Sequence, residues 1–259
     1  MNKQAIGIFD SGVGGTSIWK ELHLLLPNES TIYLADSKHA PYGTKSKDEI
    51  VALSKKNTEL LLDKDCKLIV VACNTATTNA INYLRAHYDV PFIGIEPAIK
   101  PAALNTKTKV VGILATRGTL SSQLFHNTTD LYAHDLKIIE QVGEGIVPLI
   151  EQGQINSEEM HALLEVYIKP MLASNIDYLV LGCTHYSYLI PQLLDFLPSH
   201  VKIIDSGEAV AKQTKSILTK HSLLKTIPMK AQLEFYTNGN PEVLSQLLGK
   251  NFKIDYLDF

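Results

Sequence analysis

The chain has 259 residues, 45% of them hydrophobic and 20% charged, with a formal net charge of -3. That balance suits a globular protein of one large or two ordinary domains, and without a block of like charge it argues against a nucleic-acid footprint. No apolar stretch reaches the roughly 18 residues of a membrane span, and three cysteines do not make a disulfide framework, so free thiols in a reducing, cytoplasmic setting are expected.

Ala5–Asp10 reads as a first strand, and Ser11-Gly-Val-Gly-Gly15 as a flexible turn. Ile18, Leu22, Leu25 and Leu26 then recur at helical spacing before Pro27. Because the chain enters a strand almost at once, neither a signal peptide nor an effector-binding N-terminal extension is expected. Thr31–Ala35 is a second strand that empties into a polar loop, Asp36–Thr44, with Asp36 read as a turn residue. Ser46 and Glu49 form a capping-box signature for the next helix. Leu68–Cys73 is a continuous apolar run, as expected of a strand buried on both faces of a parallel sheet. A helix near 76–85 and a short strand, Pro91–Ile95, follow.

The pattern then restarts. Val111-Gly-Ile-Leu echoes Ile6-Gly-Ile-Phe 105 residues on, and Tyr178–Cys183 echoes the first cysteine strand, Cys183 standing 110 residues after Cys73. Two matches at nearly one offset suggest two similar halves. The second half continues with Leu136–Ile139, the turn Gly143-Glu144-Gly145, a helix over 157–172, and the strand Val201–Ile204. The tail adds a strand at 232–236, a helix opened by Pro241 and a last strand near 252–256, and belongs to neither half by pattern. Alternating strands and helices argue an α/β architecture of mostly parallel sheets.

In open α/β sheets ligands sit at the carboxyl ends of strands. Asp10-Ser11, Asp36, Cys73-Asn74-Thr75 and Cys183-Thr184-His185 all fall there. A cysteine beside a buried strand is often simply core. Here small polar donors follow both cysteines, and a helix start would favour a thiolate. Cys66 stands before its strand and is read as structural or exposed. No phosphate loop, dinucleotide fingerprint or nucleophile elbow is present. Zinc on Cys73, Cys183 and His185 lacks the usual ligand spacing. A Cys–His hydrolase leaves the second cysteine unexplained. A two-lobed amino-acid binding module leaves both unexplained.

Asp10-Ser-Gly-Val-Gly-Gly15, Pro41-Tyr-Gly43, Cys73-Asn-Thr-Ala76 and Gly182-Cys-Thr-His-Tyr186 together resemble the glutamate racemases of the cofactor-independent aspartate/glutamate racemase superfamily. The resemblance runs nearly end to end. It implies two α/β domains, 1–97 with 207–259 and 98–206, related by a pseudo-twofold axis around a cleft. It implies Cys73 and Cys183 as a two-base pair, assisted by Asp10, His185 and Glu151. Substrate contacts carry over to Asp10, Ser11, Pro41, Tyr42, Gly43, Asn74, Thr75, Thr184 and His185. No metal or other cofactor is implied. The implied protein is a cytoplasmic homodimer acting on glutamate for peptidoglycan synthesis. A racemase of aspartate or another acidic amino acid is the alternative. Two departures stand out: Ser187-Tyr188 where the family usually has Pro-Leu, and Gly143-Glu144 where it often has Cys-Pro.

Overall fold

The computed structural model describes residues 4–226 and 230–259. Its first part runs β1 (Ala5–Asp10), α1 (Thr16–Leu25), β2 (Thr31–Ala35), α2 (Lys47–Asp63), β3 (Cys66–Val71), α3 (Asn74–His87) and β4 (Phe92–Gly94). The second runs α4 (Ile99–Asn105), β5 (Val110–Ala115), α5 (Arg117–Leu120), α6 (Gln123–Tyr132), β6 (Lys137–Val142), α7 (Ile146–Glu151), α8 (Glu158–Ala173), β7 (Tyr178–Gly182), α9 (Ile190–Phe196) and β8 (Lys202–Ile204). Then come α10 (Gly207–Lys220), β9 (Leu233–Thr237), α11 (Pro241–Leu248) and β10 (Ile254–Tyr256).

The strands form two parallel sheets. One has the order β10-β9-β2-β1-β3-β4, the other β6-β5-β7-β8. The run β2-β1-β3-β4 in the first matches β6-β5-β7-β8 in the second, strand for strand, as the sequence echo implies. The tail strands extend the first sheet alone, with β9 pairing β2.

Alternation along the strands distributes the core. Ile6 and Ile8 of β1 point to one face and Phe9 to the other. The first face joins Trp19 of α1, Leu164 of α8 and Leu179 of β7 in one apolar cluster, so the two sheets share a core. α2 begins with the expected capping box: Ser46 accepts from Glu49 N–H, and Glu49 reaches back to Ser46 N–H.

The cysteine strands end earlier than expected. β3 stops at Val71 and β7 at Gly182, and each cysteine instead stands as the N-cap of the helix that follows. Cys66 is the first residue of β3 and is buried, not exposed, because β3 starts under α2 and pairs β1 from Ala5 onward. Its Sγ packs against Gly7, where an added Cβ would lie 3.0 Å away.

Candidate active site

Two helix starts bring the thiols to the same end of the molecule. Cys73 caps α3, its Sγ accepting from Ala76 N–H at 3.3 Å. Its own S–H is directed to Ser11 Oγ at 3.4 Å, and Ser11 Oγ reaches Asp10 Oδ1 at 3.4 Å. Asp10 is therefore linked to Cys73 through the Ser11 hydroxyl. Burial pushes the Cys73 thiol well up, and the nearby Asp10 carboxylate adds to this.

Asp10 ends β1 and is fully buried. Gly15 N–H donates to its Oδ2 at 2.6 Å, and Thr184 Oγ1 from the other half does so at 3.3 Å. Burial raises its carboxyl to about 6, against the opposing pull of His185 and the Gly15 N–H.

On the second side, Cys183 Sγ lies 3.7 Å from His185 Nδ1. His185 Nε2 lies 2.5 Å from Glu151 Oε1. Burial disfavours the charged imidazole, but hydrogen bonds to Cys183 and Glu151 outweigh it and hold His185 well above the usual histidine range. Glu151 ends α7, whose first turn follows Gly145 at φ 80, a left-handed geometry that favours glycine. The glycine turn after β1 admits this pair: a Cβ on Gly14 would overlap the His185 ring. Each thiol thus heads its own hydrogen-bonded chain, through Ser11 to Asp10 on one side and through His185 to Glu151 on the other.

A narrow pocket lies between the halves. Both cysteines line it, with Ser11, Pro41, Tyr42, Gly43, Asn74 and Thr75 from the first half and Thr184 and His185 from the second. Asp10 and Glu151 stand behind this lining. The Asn74 amide is buried with neither its oxygen nor its nitrogen hydrogen-bonded to any described residue. A buried amide left so costs about 1–3 kcal/mol, which suits a group kept for a ligand. Thr75, at the start of α3, adds a hydroxyl beside free helix N–H groups, an arrangement that binds anions.

Three residues here go beyond the sequence reading. Thr116 and Val147 also line the cavity. Thr116 Oγ1 is 2.8 Å from Thr75 Oγ1 and 3.0 Å from Thr119 Oγ1. The echo contains the signal for it, since Thr116 stands 105 residues after Ser11. Asp36 is no mere turn residue. It is buried and accepts from Tyr42 Oη, from Asn238 Nδ2 at 2.6 Å, and lies 2.6 Å from His39 Nδ1. Tyr42 is thereby fixed at the cavity wall, with Asn57 Nδ2 donating to the same hydroxyl at 3.1 Å.

Of the two departures, Ser187 donates to Asp205 at 2.9 Å, and the Tyr188 hydroxyl lies 2.6 Å from Thr16 Oγ1. Gly143 O accepts from Tyr186 at 3.0 Å, and Glu144 pairs with Arg117 at the surface. Neither position lines the cavity that holds the thiols. Among the described residues no group of three or more His, Cys, Asp or Glu could hold a metal ion, and no helix is long and apolar enough to cross a membrane.

The family model for Asp/Glu/hydantoin racemases matches residues 15–214. A glutamate racemase of Herpetosiphon aurantiacus is 45% identical over 241 residues, covering 93% of this chain and 95% of its own. Among solved structures, the glutamate racemase isoform RacE1 from Bacillus anthracis aligns with a TM-score of 0.88 at 28% identity, over 100% of this chain and 98% of that one. The Escherichia coli glutamate racemase, solved with L-glutamate and the activator UDP-MurNAc-Ala, aligns at 0.87 and 32% identity over 98% of each chain.

Proposed function

The chain belongs to the Asp/Glu/hydantoin racemase family, and from that premise we propose that it interconverts L- and D-glutamate with Cys73 and Cys183 as its two bases. The observation that carries this reading is the pair of buried thiols at equivalent points of two repeated halves, both lining one cavity. Inversion requires a proton to leave one face of the α-carbon and another to arrive on the opposite face. One fixed base serves one face; two thiols serve both, a thiolate taking the proton and a thiol giving one. The reverse direction exchanges their roles.

The two thiols have unlike surroundings. Cys73, pushed up by burial, suits the thiol that gives. Cys183 sits beside an imidazole that Glu151 helps to keep protonated, so a proton donor stands next to the second sulfur. Ser11, Asn74, Thr75, Thr184 and the Tyr42-Gly43 loop supply hydroxyl, amide and backbone N–H groups suited to two carboxylates and an ammonium. Without an electron sink the α-proton is weakly acidic, so a preorganised, water-poor site has to supply the stabilisation. The burial of both cysteines, Asn74, Thr75, Thr184 and His185 around the narrow pocket supports that demand. On this reading 1–97 with 207–259 and 98–206 are the two domains, and the place of β9 and β10 on the first sheet supports the division. The product would be D-glutamate for peptidoglycan, made in the cytoplasm by a homodimer without a cofactor.

Purified protein given L-glutamate and nothing else should abolish its optical rotation, and should act on aspartate much more slowly. Cys73→Ser and Cys183→Ser should each lower racemisation at least about 100-fold. Full activity of either variant in both directions would sink the two-base reading.

A further inference from the structure

Each half of the site lends a donor to the acid of the other. Thr184 Oγ1 donates to Asp10 at 3.3 Å. In the opposite direction Glu151, on α7, accepts at Oε2 from Ser37 Oγ at 2.7 Å and at Oε1 from Val13 N–H at 2.7 Å. His185 Nε2 lies 2.5 Å from that same Oε1. The acid–imidazole pair of the second half is completed by two donors from the first.

We propose that Ser37 is a positioning residue for racemisation, acting on Cys183 across the cleft through Glu151 and His185. The inference rests on the two-thiol reading above and adds a residue to it. Ser37 does not line the cavity, so substrate contact does not account for its placement. The segment that carries it is pinned on both sides by one side chain at the end of β9. Asn238 Nδ2 donates to Asp36 Oδ1 at 2.6 Å, and Asn238 Oδ1 accepts from Lys38 N–H at 2.9 Å. Gly239 leaves room beneath: an added Cβ would stand 2.5 Å from Ser37 Cβ. The hydroxyl is thus aimed by its backbone before Glu151 meets it.

Charged and titratable groups face this contact from several elements. His185 and, behind it, Cys183 face Glu151 from the turn after β7. Asp10 and Tyr33 face it from the first sheet. Beside Ser37, Asp36 is held by Tyr42, His39 and Asn238, and Lys38 pairs with Asp258. Ser37 is the one side-chain donor, among the described residues, on Glu151 Oε2. Without it the carboxylate is held at Oε1 alone, by Val13 N–H and His185, and can pivot about that oxygen, so the imidazole loses part of its alignment with the Cys183 sulfur. A hydrogen bond to a charged group is worth enough to move a rate about tenfold.

The test is a double-mutant cycle on steady-state glutamate racemisation, with Ser37→Ala, Ser37→Thr, Glu151→Gln and the double variant, each checked by thermal melting. Ser37→Ala should lower kcat about tenfold with KM within about twofold. Ser37→Thr, which keeps the hydroxyl, should restore most of the loss. In the Glu151→Gln background Ser37→Ala should cost nothing further, because the path it acts through is already cut. Unchanged kcat in Ser37→Ala, a change confined to KM, or the same loss in both backgrounds would overturn the proposal. Should Ser37→Ala not melt cooperatively, Gly239→Ala, which crowds Ser37 from beneath, supplies the same cycle with the same expected and opposing outcomes. A wild-type protein that does not racemise glutamate would sink the two-thiol reading itself. An active wild type with additive variants would sink only the role of Ser37.

Discussion

At the scale of single residues, Asp10 carries a cost as well as a role. Burial is the largest influence on it and raises its carboxyl to about 6, from an ordinary 3.8. The folded state then holds a proton that the unfolded chain has already released between about pH 4 and pH 6. Stability therefore falls as pH rises through that window and stays lower above it, by up to about 3 kcal/mol for this group. Asp10→Asn should flatten that dependence: melting curves at pH 4 and pH 7 should differ less in the variant than in the parent, while racemisation is lost. The two cysteines were legible in the sequence because each stands at the same point of a repeat, followed by small donors. Asp36 was not, because one of its partners is Asn238, 202 residues away. The repeat also conceals an asymmetry. Where the first half has Asp10, the second has Ala115, and its acid arrives as Glu151 on a separate helix instead.

At the scale of elements, the turn between β1 and α1 decides how closely the halves meet. Its Gly14 sits against His185, and its Val13 N–H meets Glu151. Gly14→Ala would push a methyl into the imidazole. The expected cost is about 1–3 kcal/mol of stability from overpacking and a fall in kcat of at least about tenfold, read by thermal melting and steady-state kinetics. A normal kcat would show that the ring yields without harm. Most strands and several of the longer helices were readable from periodicity and caps, as Ser46 illustrates, though α6 and α10 were not. Helix α7 was not. It has six residues, contains Pro148 and starts from a left-handed glycine, so it offers too short a window for a helical period. Of the helices not read from the sequence, α7 is the one that carries Glu151. The strand ends were misplaced by a residue or two for a related reason: a cysteine that caps a helix has extended backbone angles, and by sequence it reads as the end of the strand.

At the scale of the whole molecule, the two sheets repeat one order, and only the first is extended by the tail. The tail resisted placement by pattern because nothing local says which sheet a late strand will join. Its partner β2 lies about two hundred residues earlier, and the contact that ties it to the site passes through Asn238. The positions of the three cysteines also turn this protein into a pair of clocks. Cys73 and Cys183 are 4% and 8% exposed and both line the pocket between the halves, so an alkylating reagent should reach them from that pocket. Cys66 lies at the opposite end of its strand, is equally hidden, and has a thiol that burial pushes up to about 12. It should react only when the first sheet itself comes apart. Timed iodoacetamide labelling, read peptide by peptide in a mass spectrometer, should therefore give a fast pair and one slow straggler. Glutamate should slow the pair far more than the straggler.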